Sequence, residues 1–499
     1  MNGEFAASYE QLDSICGWLA GDTAATLTHA ELEDELGVRG RELLRTVFQD
    51  QLDRLSRHDG ETRAEVIDAH GVQRRAVERG HRRGLATVFG EVTVERCAYR
   101  QRGHPNLAPL DAVLNLPVEK HSHGLRCLAA IESSRGSFDG AVDAIDRACG
   151  QTVGKRQVEQ LATAAAGDFE AFYATRTVAA TDADDIVVIS ADGKGVVMRP
   201  DGLRAQTAKA AASAKLTTRL SKGEKRNRKR MATVGAVYDT TPAHRAPRDV
   251  MARGDTTHAD PATPPPPDPP KARNKWLHAS VVDAAATVIA AVFDEAERRD
   301  PDHQRTWVAL VDGNNHQIDR LRVEADQRGI ELHIVCDFVH VLEYLWSAAW
   351  SFYAEGDPDA EEWVHDKALE VLHGHPTRVA AAIRRKATYH RLDTAQRSNA
   401  DRCAAYLCNK ANHLDYPAAL TNGWPIATGV IEGACRHLVK DRMDITGARW
   451  SPDGAEAILK LRALRANNDF DTYWQFHLTQ EHRRVHQSRY ANGVIPTAA

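Results

Sequence analysis

Asp185-Ile186-Val187-Val188-Ile189-Ser190-Ala191-Asp192-Gly193 is an almost unbroken apolar run that closes on an acid and a glycine. Such a run, without polar alternation, suits a strand buried on both faces of a sheet. The Asp-Gly at its end reads as a turn that leaves a carboxylate at the sheet's rim. Trp307-Val308-Ala309-Leu310-Val311-Asp312-Gly313 repeats the pattern. A helical stretch then leads to another strand, Leu332-His333-Ile334-Val335, and strand, helix, strand at this spacing implies parallel pairing through a crossover. A further strand is expected from Ala232 to Tyr238. The middle of the chain therefore reads as an α/β sheet flanked by helices, with ligands expected at the carboxyl ends of its strands.

The flanks read differently. From about Tyr9 to Leu55 apolar residues recur at helical spacing, as in Leu43, Leu44, Val47, Phe48 and Leu52, with Gly60 closing the run. Between Glu65 and Arg100 the pattern alternates, most clearly from Ala86 to Val94 around Gly90, which predicts a β-hairpin. Pro105, Pro109 and Pro117 interrupt the next stretch, and helix is expected from His121 to Ala165. There Phe138, Ala141, Val142 and Ile145 share one helical face, Gly150 ends that helix, and Thr152-Val153-Gly154 precedes a second one, a helix-turn-helix pattern. Lys155, Arg156 and Gln157 at the second helix's start stand where such motifs touch DNA, although an ordinary helical hairpin has the same pattern. Helix is also expected from Trp276 to Arg299, over most of Val339 to Leu414, and from about Val430 to Arg442 after Pro425.

The chain has 499 residues, enough for roughly three domains. Its 64 basic and 69 acidic residues give no global sign of a polyanion partner, so such a sign must be local. Lys209 to Arg230 supplies one: nine cations, including Lys225, Arg226, Arg228, Lys229 and Arg230, against the single acid Glu224. Such a segment can be a solvated loop, but nine cations against one acid favour contact with DNA phosphates. Thr241 to Lys271 is proline-rich and reads as a semi-rigid loop. The amino terminus lacks the basic start and apolar run of a signal peptide, and no segment is apolar enough to span a membrane, so a cytoplasmic protein is expected. The eight cysteines are dispersed, which favours reduced thiols in cores. Cys403, Cys408 and His413, or Cys97 and His104, lack the paired spacing of a zinc site.

Asp192 and Asp312 gain weight beside Glu432, which lies in Thr428-Gly429-Val430-Ile431-Glu432-Gly433-Ala434-Cys435-Arg436. On a regular helix Ile431, Cys435, Leu438 and Val439 can pack on the sheet, while Glu432, Arg436 and Lys440 form a neighbouring stripe. A surface Glu-Arg pair is the plain alternative. Convergent carboxylates suit Mg²⁺, and two such ions can drive an in-line phosphoryl displacement without a protein nucleophile. Asp337 also follows a strand and could itself be taken for the second metal ligand, although Asp312 is preferred. It can cap the next helix with His340 half-buried, or the two can form a pair that supports the metal ligands or positions DNA.

With these motifs the chain resembles bacterial insertion-sequence transposases of the DDE type, specifically the ISKra family near the Mutator-like branch. The resemblance covers most of the chain. It rests on Ser190-Ala191-Asp192-Gly193-Lys194-Gly195, on Arg228 to Tyr238, on Leu310-Val311-Asp312-Gly313 and on Ile431-Glu432-Gly433, with Asp337-Phe338-Val339-His340 similar to the family's C/D-x-x-H signature. It implies an RNase H-like core in which Asp192, Asp312 and Glu432 bind two Mg²⁺ ions, for which Mn²⁺ can substitute. It also implies cleavage of element ends and strand transfer into target double-stranded DNA by a homodimer or higher oligomer. The expected organisation is helical at 1–60, a hairpin module at 61–118, a helix-turn-helix-like region at 119–175, the core at 176–345, a helical insertion at 346–420, the end of the core at 421–480 and a tail at 481–499. A structure-selective nuclease of the same fold, and a catalytically silent DNA-binding protein, remain alternatives.

Overall fold

Thr28 starts a 30-residue helix, His29–His58, with a reciprocal cap: its side chain accepts from the Glu31 N–H, and Glu31 takes the Thr28 N–H at 2.8 Å. Phe48, Leu52 and Leu55 on this helix pack on Leu85, Val92 and Val94 of an antiparallel hairpin. The hairpin's strands are β1 (Ala76–Thr87) and β2 (Gly90–Arg100). Gly90 sits at φ 134°, the conformation for which the sequence supplies a glycine at the turn.

The computed structural model describes residues 3–59, 65–178, 182–213, 228–251, 267–427, 429–445 and 447–497. They form two compact units, Met1–Thr175 with Asn468–Ala499, and Arg176–Asn467. Gly60, Lys215, Arg219, Lys222, Lys225, Arg226, the middle of the proline-rich loop and Thr428 lie outside the described residues.

In the first unit the helices His123–Arg135, Phe138–Cys149 and Lys155–Ala165 enclose a core of Leu125, Ala129, Ala141, Ile145, Val158 and Leu161. Ser137 caps the second helix by accepting from Gly140 N–H at 2.9 Å, and Gly150 ends it at φ 67°. Two helices joined by a glycine-containing turn are therefore present where the sequence placed them. Helix Phe470–Val485 belongs to this unit as well, so residues 468–480 group with the first unit and not with the α/β core to which the sequence assigned them. The reason is a buried polar network. His477 Nδ1 and Asp168 Oδ2 are 2.6 Å apart, Arg484 donates to both oxygens of Asp168 at 2.7 and 2.8 Å, and Arg126 meets Glu481 at 2.6 Å.

The second unit is built on five strands: β3 (Ile186–Val197), β4 (Lys229–Thr240), β5 (Arg273–Ser280), β6 (Trp307–Val311) and β7 (Leu332–Cys336). Their order is β5-β4-β3-β6-β7; β3, β4 and β5 pair antiparallel, whereas β6 and β7 continue parallel to β3. Helix Asn315–Arg328 makes the crossover between β6 and β7. Helix Ala285–Arg299 lies so close to β4 that a Cβ on Gly235 would come 2.4 Å from Val292 Cγ2. Arg299 and Arg305 both pair with buried Asp239, at 3.1 and 2.7 Å, and Arg299 also pairs with Glu295 at 2.8 Å. Paired in this way, the buried charges tie β4 to the helix and to the entry of β6.

Two sequence expectations need correction here. Trp276 to Ser280 is strand, not the start of a helix; β5 pairs with β4, and the helix begins at Ala285. Residues 276–281 alternate poorly and run into the helix's apolar face without a glycine or proline between them, so pairing with β4 decided the outcome. Second, Asp192 does not end its strand. β3 continues to Val197 opposite β4, and Gly193 does not turn the chain.

Beyond β7 the chain is helical over Phe338–Ala349, Pro358–Leu372, Pro376–Tyr389 and Ser398–Asn409. No helix among the described residues is long and apolar enough to cross a membrane.

Candidate active site

Ser190 pairs with Leu310 across β3 and β6, and Leu310 pairs with Val335 across β6 and β7. Two residues further along each strand lie Asp192, Asp312 and Asp337. The three acids therefore stand in one row, with the same parity, on three neighbouring parallel strands. A Val311 carbonyl accepting from Asp337 N–H at 2.8 Å extends the pairing to this row.

Each carboxylate is held by nearby donors. Asp192 Oδ1 accepts from Gly193 N–H at 2.6 Å, and its Oδ2 from the Cys435 thiol at 3.2 Å. Asp312 Oδ1 accepts from Asn314 N–H at 2.8 Å as Gly313, at φ 94°, turns the chain. With its amide oriented to match its neighbours, Gln317 donates to Asp312 Oδ1 at 3.2 Å and to the Ala191 carbonyl at 3.3 Å, bridging β3 and β6. The Tyr406 hydroxyl donates to the Asp312 carbonyl at 3.3 Å. Asp337 is buried and caps helix Phe338–Ala349 by accepting from Val339 N–H at 2.7 Å. His340 lies 2.9 Å from Glu343.

Glu432 comes from the far end of the unit's sequence, on helix Gly429–Ala434. This helix does not run regularly to Arg442 as expected. Residues Cys435–Lys440 form a π-helical segment before Asp441–Met443 resumes α-helix. The wider turn brings residues five apart into line, so Arg436 meets Asp441 at 3.7 Å and not Glu432. The regular Glu432, Arg436, Lys440 stripe is thus broken, although all three side chains still line the same cavity. Cys435, Leu438 and Val439 are buried, as the sequence implied for the sheet-facing side.

That cavity, of about 430 Å³, is lined by Asp192, Asp312, Asp337 and Glu432 together with Lys194, His340, Arg436 and Lys440. With Glu343 and Asp441, six carboxylates thus share one concave surface. The oxygen donors are of the kind that Mg²⁺ takes. Among the described residues, no three His, Cys, Asp or Glu side chains are gathered closely enough to hold an ion. Beside the acids, burial first, and then the charge of Asp192, pushes the Cys435 thiol far above its usual range, so it is a neutral S–H donor. Burial likewise pushes Cys336 up to about 11.

The remaining sequence candidates are not among the residues that line this cavity. Lys155 pairs with Asp139 at 2.6 Å, Arg156 is exposed, and Gln157 caps its own helix by accepting from Gly154 N–H at 3.2 Å. Arg228, Lys229 and Arg230 are half-buried at the start of β4, where Arg230 donates to the Val282 carbonyl at 3.2 Å. Cys97 and Cys403 are buried, and His413 is engaged with Arg322 at 2.8 Å. Gln317 and Cys435 are the site residues that sequence reasoning did not assign to the acids; neither has a local signal, because each meets its carboxylate only through the fold. Comparison with protein-family models gives no match, and comparison with curated proteins gives none either.

Proposed function

We propose that the protein is a DDE-type transposase that cuts the ends of a mobile DNA element and joins them to target DNA. The observation that carries this reading is the cavity that Asp192, Asp312 and Glu432 all line, two of them from the row of acids across β3, β6 and β7. The strand order β5-β4-β3-β6-β7, with three antiparallel strands continued by two parallel ones, supports an RNase H-like core. The family resemblance of the motifs points the same way.

In this reading Asp192, Asp312 and Glu432 hold divalent metal, which supplies activation of the attacking oxygen and stabilisation of the leaving one. The chain's own contribution is positioning. Gly193 N–H and Cys435 orient Asp192, Asn314 N–H and Gln317 orient Asp312, and Lys194, Arg436 and Lys440 offer cations at the cavity for DNA phosphates. The helix-turn-helix of the first unit, with Arg156 exposed at the start of its second helix, would bind duplex DNA.

A cleavage and strand-transfer assay in Mg²⁺, on DNA carrying the sequences that flank the reading frame, tests the proposal. Nicking followed by joining is expected. Cleavage without joining would point instead to a nuclease, and binding without either reaction to a silent DNA-binding protein.

A further inference from the structure

Cys435 lies one helical turn beyond Glu432 and reaches across to β3, where its thiol donates to Asp192 Oδ2 at 3.2 Å. It is buried yet lines the cavity wall. Asp192 Oδ1 is already committed to Gly193 N–H. The thiol is thus the described side-chain donor on the second oxygen, and it comes from the element that carries Glu432.

We propose that Cys435 is a positioning residue that fixes the Asp192 carboxylate and sets the Glu432 helix in register with it; the inference rests on the metal-binding reading of these acids. The choice of a thiol has a physical logic. A lysine or arginine here would neutralise Asp192 and repel a cation, whereas a neutral S–H donor orients the carboxylate and leaves its full charge for a metal. The π-helical segment that begins at Cys435 gives the contact its place. The widened turn lets Cys435 face β3, while Arg436 and Lys440 still line the cavity.

Two measurements on the full-length protein test this. The first is the S–H stretching band of Cys435 in the infrared, isolated by subtracting the spectrum of Cys435→Ser. A band shifted to lower frequency by hydrogen bonding is expected, moving back toward the free value in Asp192→Asn. A band that is unshifted, or indifferent to Asp192→Asn, overturns the proposal whatever the chain's activity. The second is Mn²⁺ titration followed by the resonance signal of the free ion, with folding checked by circular dichroism. Wild type is expected to bind, Asp192→Asn to lose binding, Cys435→Ala to need several-fold more Mn²⁺ for half-saturation, and Cys435→Ser, which keeps a donor, to recover most of that loss. Wild-type affinity in a folded Cys435→Ala overturns the positioning role alone. No binding by wild type overturns the metal reading and this inference with it, even if the infrared contact is present.

Discussion

The two Asp-Gly pairs look alike in sequence and differ in the structure, which makes them a matched test. Gly313 turns the chain at φ 94°, and a Cβ there would stand 3.0 Å from Tyr406 Cε2 and 3.1 Å from its hydroxyl. Tyr406 cannot readily yield. It is largely buried, stacked on Tyr344 at 4.1 Å between ring centroids, and bonded to the Asp312 carbonyl. In Gly313→Ala the backbone conformation costs about 1–3 kcal/mol. Overpacking against the ring adds about 1–3 kcal/mol, so the unit should lose about 2–6 kcal/mol in all. Gly193 lies within β3 at an ordinary strand conformation, and its added Cβ would meet the flexible end of Met231 at 3.1 Å, with the Ala232 carbonyl at an ordinary contact distance of 3.9 Å. Gly193→Ala should therefore change stability by no more than about 1 kcal/mol, with reduced unfolded-chain entropy offsetting the contact. Urea denaturation followed by tryptophan fluorescence, fitted to separate transitions for the two units, measures both. Equal stability of Gly313→Ala and wild type, or an equal loss in the two variants, would refute the reasoning.

Other predictions concern chemistry, pH and DNA. Asp192→Asn, Asp312→Asn and Glu432→Gln should each abolish metal-dependent strand cleavage while retaining DNA binding by gel shift; full activity in any one removes that residue from the ligand set. Asp337→Ala should retain measurable cleavage but lower stability by about 1 kcal/mol through its lost helix cap. Burial holds the His477 ring below its ordinary pKa, only partly opposed by Asp168, so the folded ring stays neutral while the unfolded one charges below about pH 6.5. The stability it contributes is complete above that pH and lost as pH falls. Asp168, which burial would raise but the Arg484 and His477 hydrogen bonds hold low, loses its contribution only in stronger acid, through the carboxylate range. Calorimetry should therefore find the first unit's transition at a lower temperature at pH 5.5 than at pH 7.5, and the opposite order would contradict the network's role. Arg156→Ala should weaken duplex binding across sequences and reduce the salt slope by about 1, as loss of a phosphate contact does; an unchanged slope would place Arg156 outside the contact.

What could be read from the sequence depended on how local the signal was. β3 and β6 are legible because buried parallel strands need continuous apolar residues, and the pair of helices in the first unit because Gly150 ends the first of them. β5 was hidden, since Trp276 to Ser280 runs unpunctuated into an apolar helix and only pairing with β4 makes it strand. Asp192 illustrates a different limit. Its Asp-Gly is a turn signal locally, but twelve residues of pairing with β4 carry the strand through it. The π-helical segment has no residue pattern of its own here, and it changed the partner of Arg436 from Glu432 to Asp441. Gln317 and Cys435 acquire their roles from Asp312 and from Asp192, the latter 243 residues away from Cys435, so no spacing rule could have found that contact.

The claim that Asp192, Asp312 and Glu432 form one metal site is tested most directly by anomalous diffraction from crystals of the full chain grown with Mn²⁺ and DNA. The account predicts peaks within ligand distance of Asp192 and Asp312, with Glu432 on one of them and Asp337 still capping its helix. A peak bound by Asp337 in place of Asp312, or manganese away from this cavity, would contradict it.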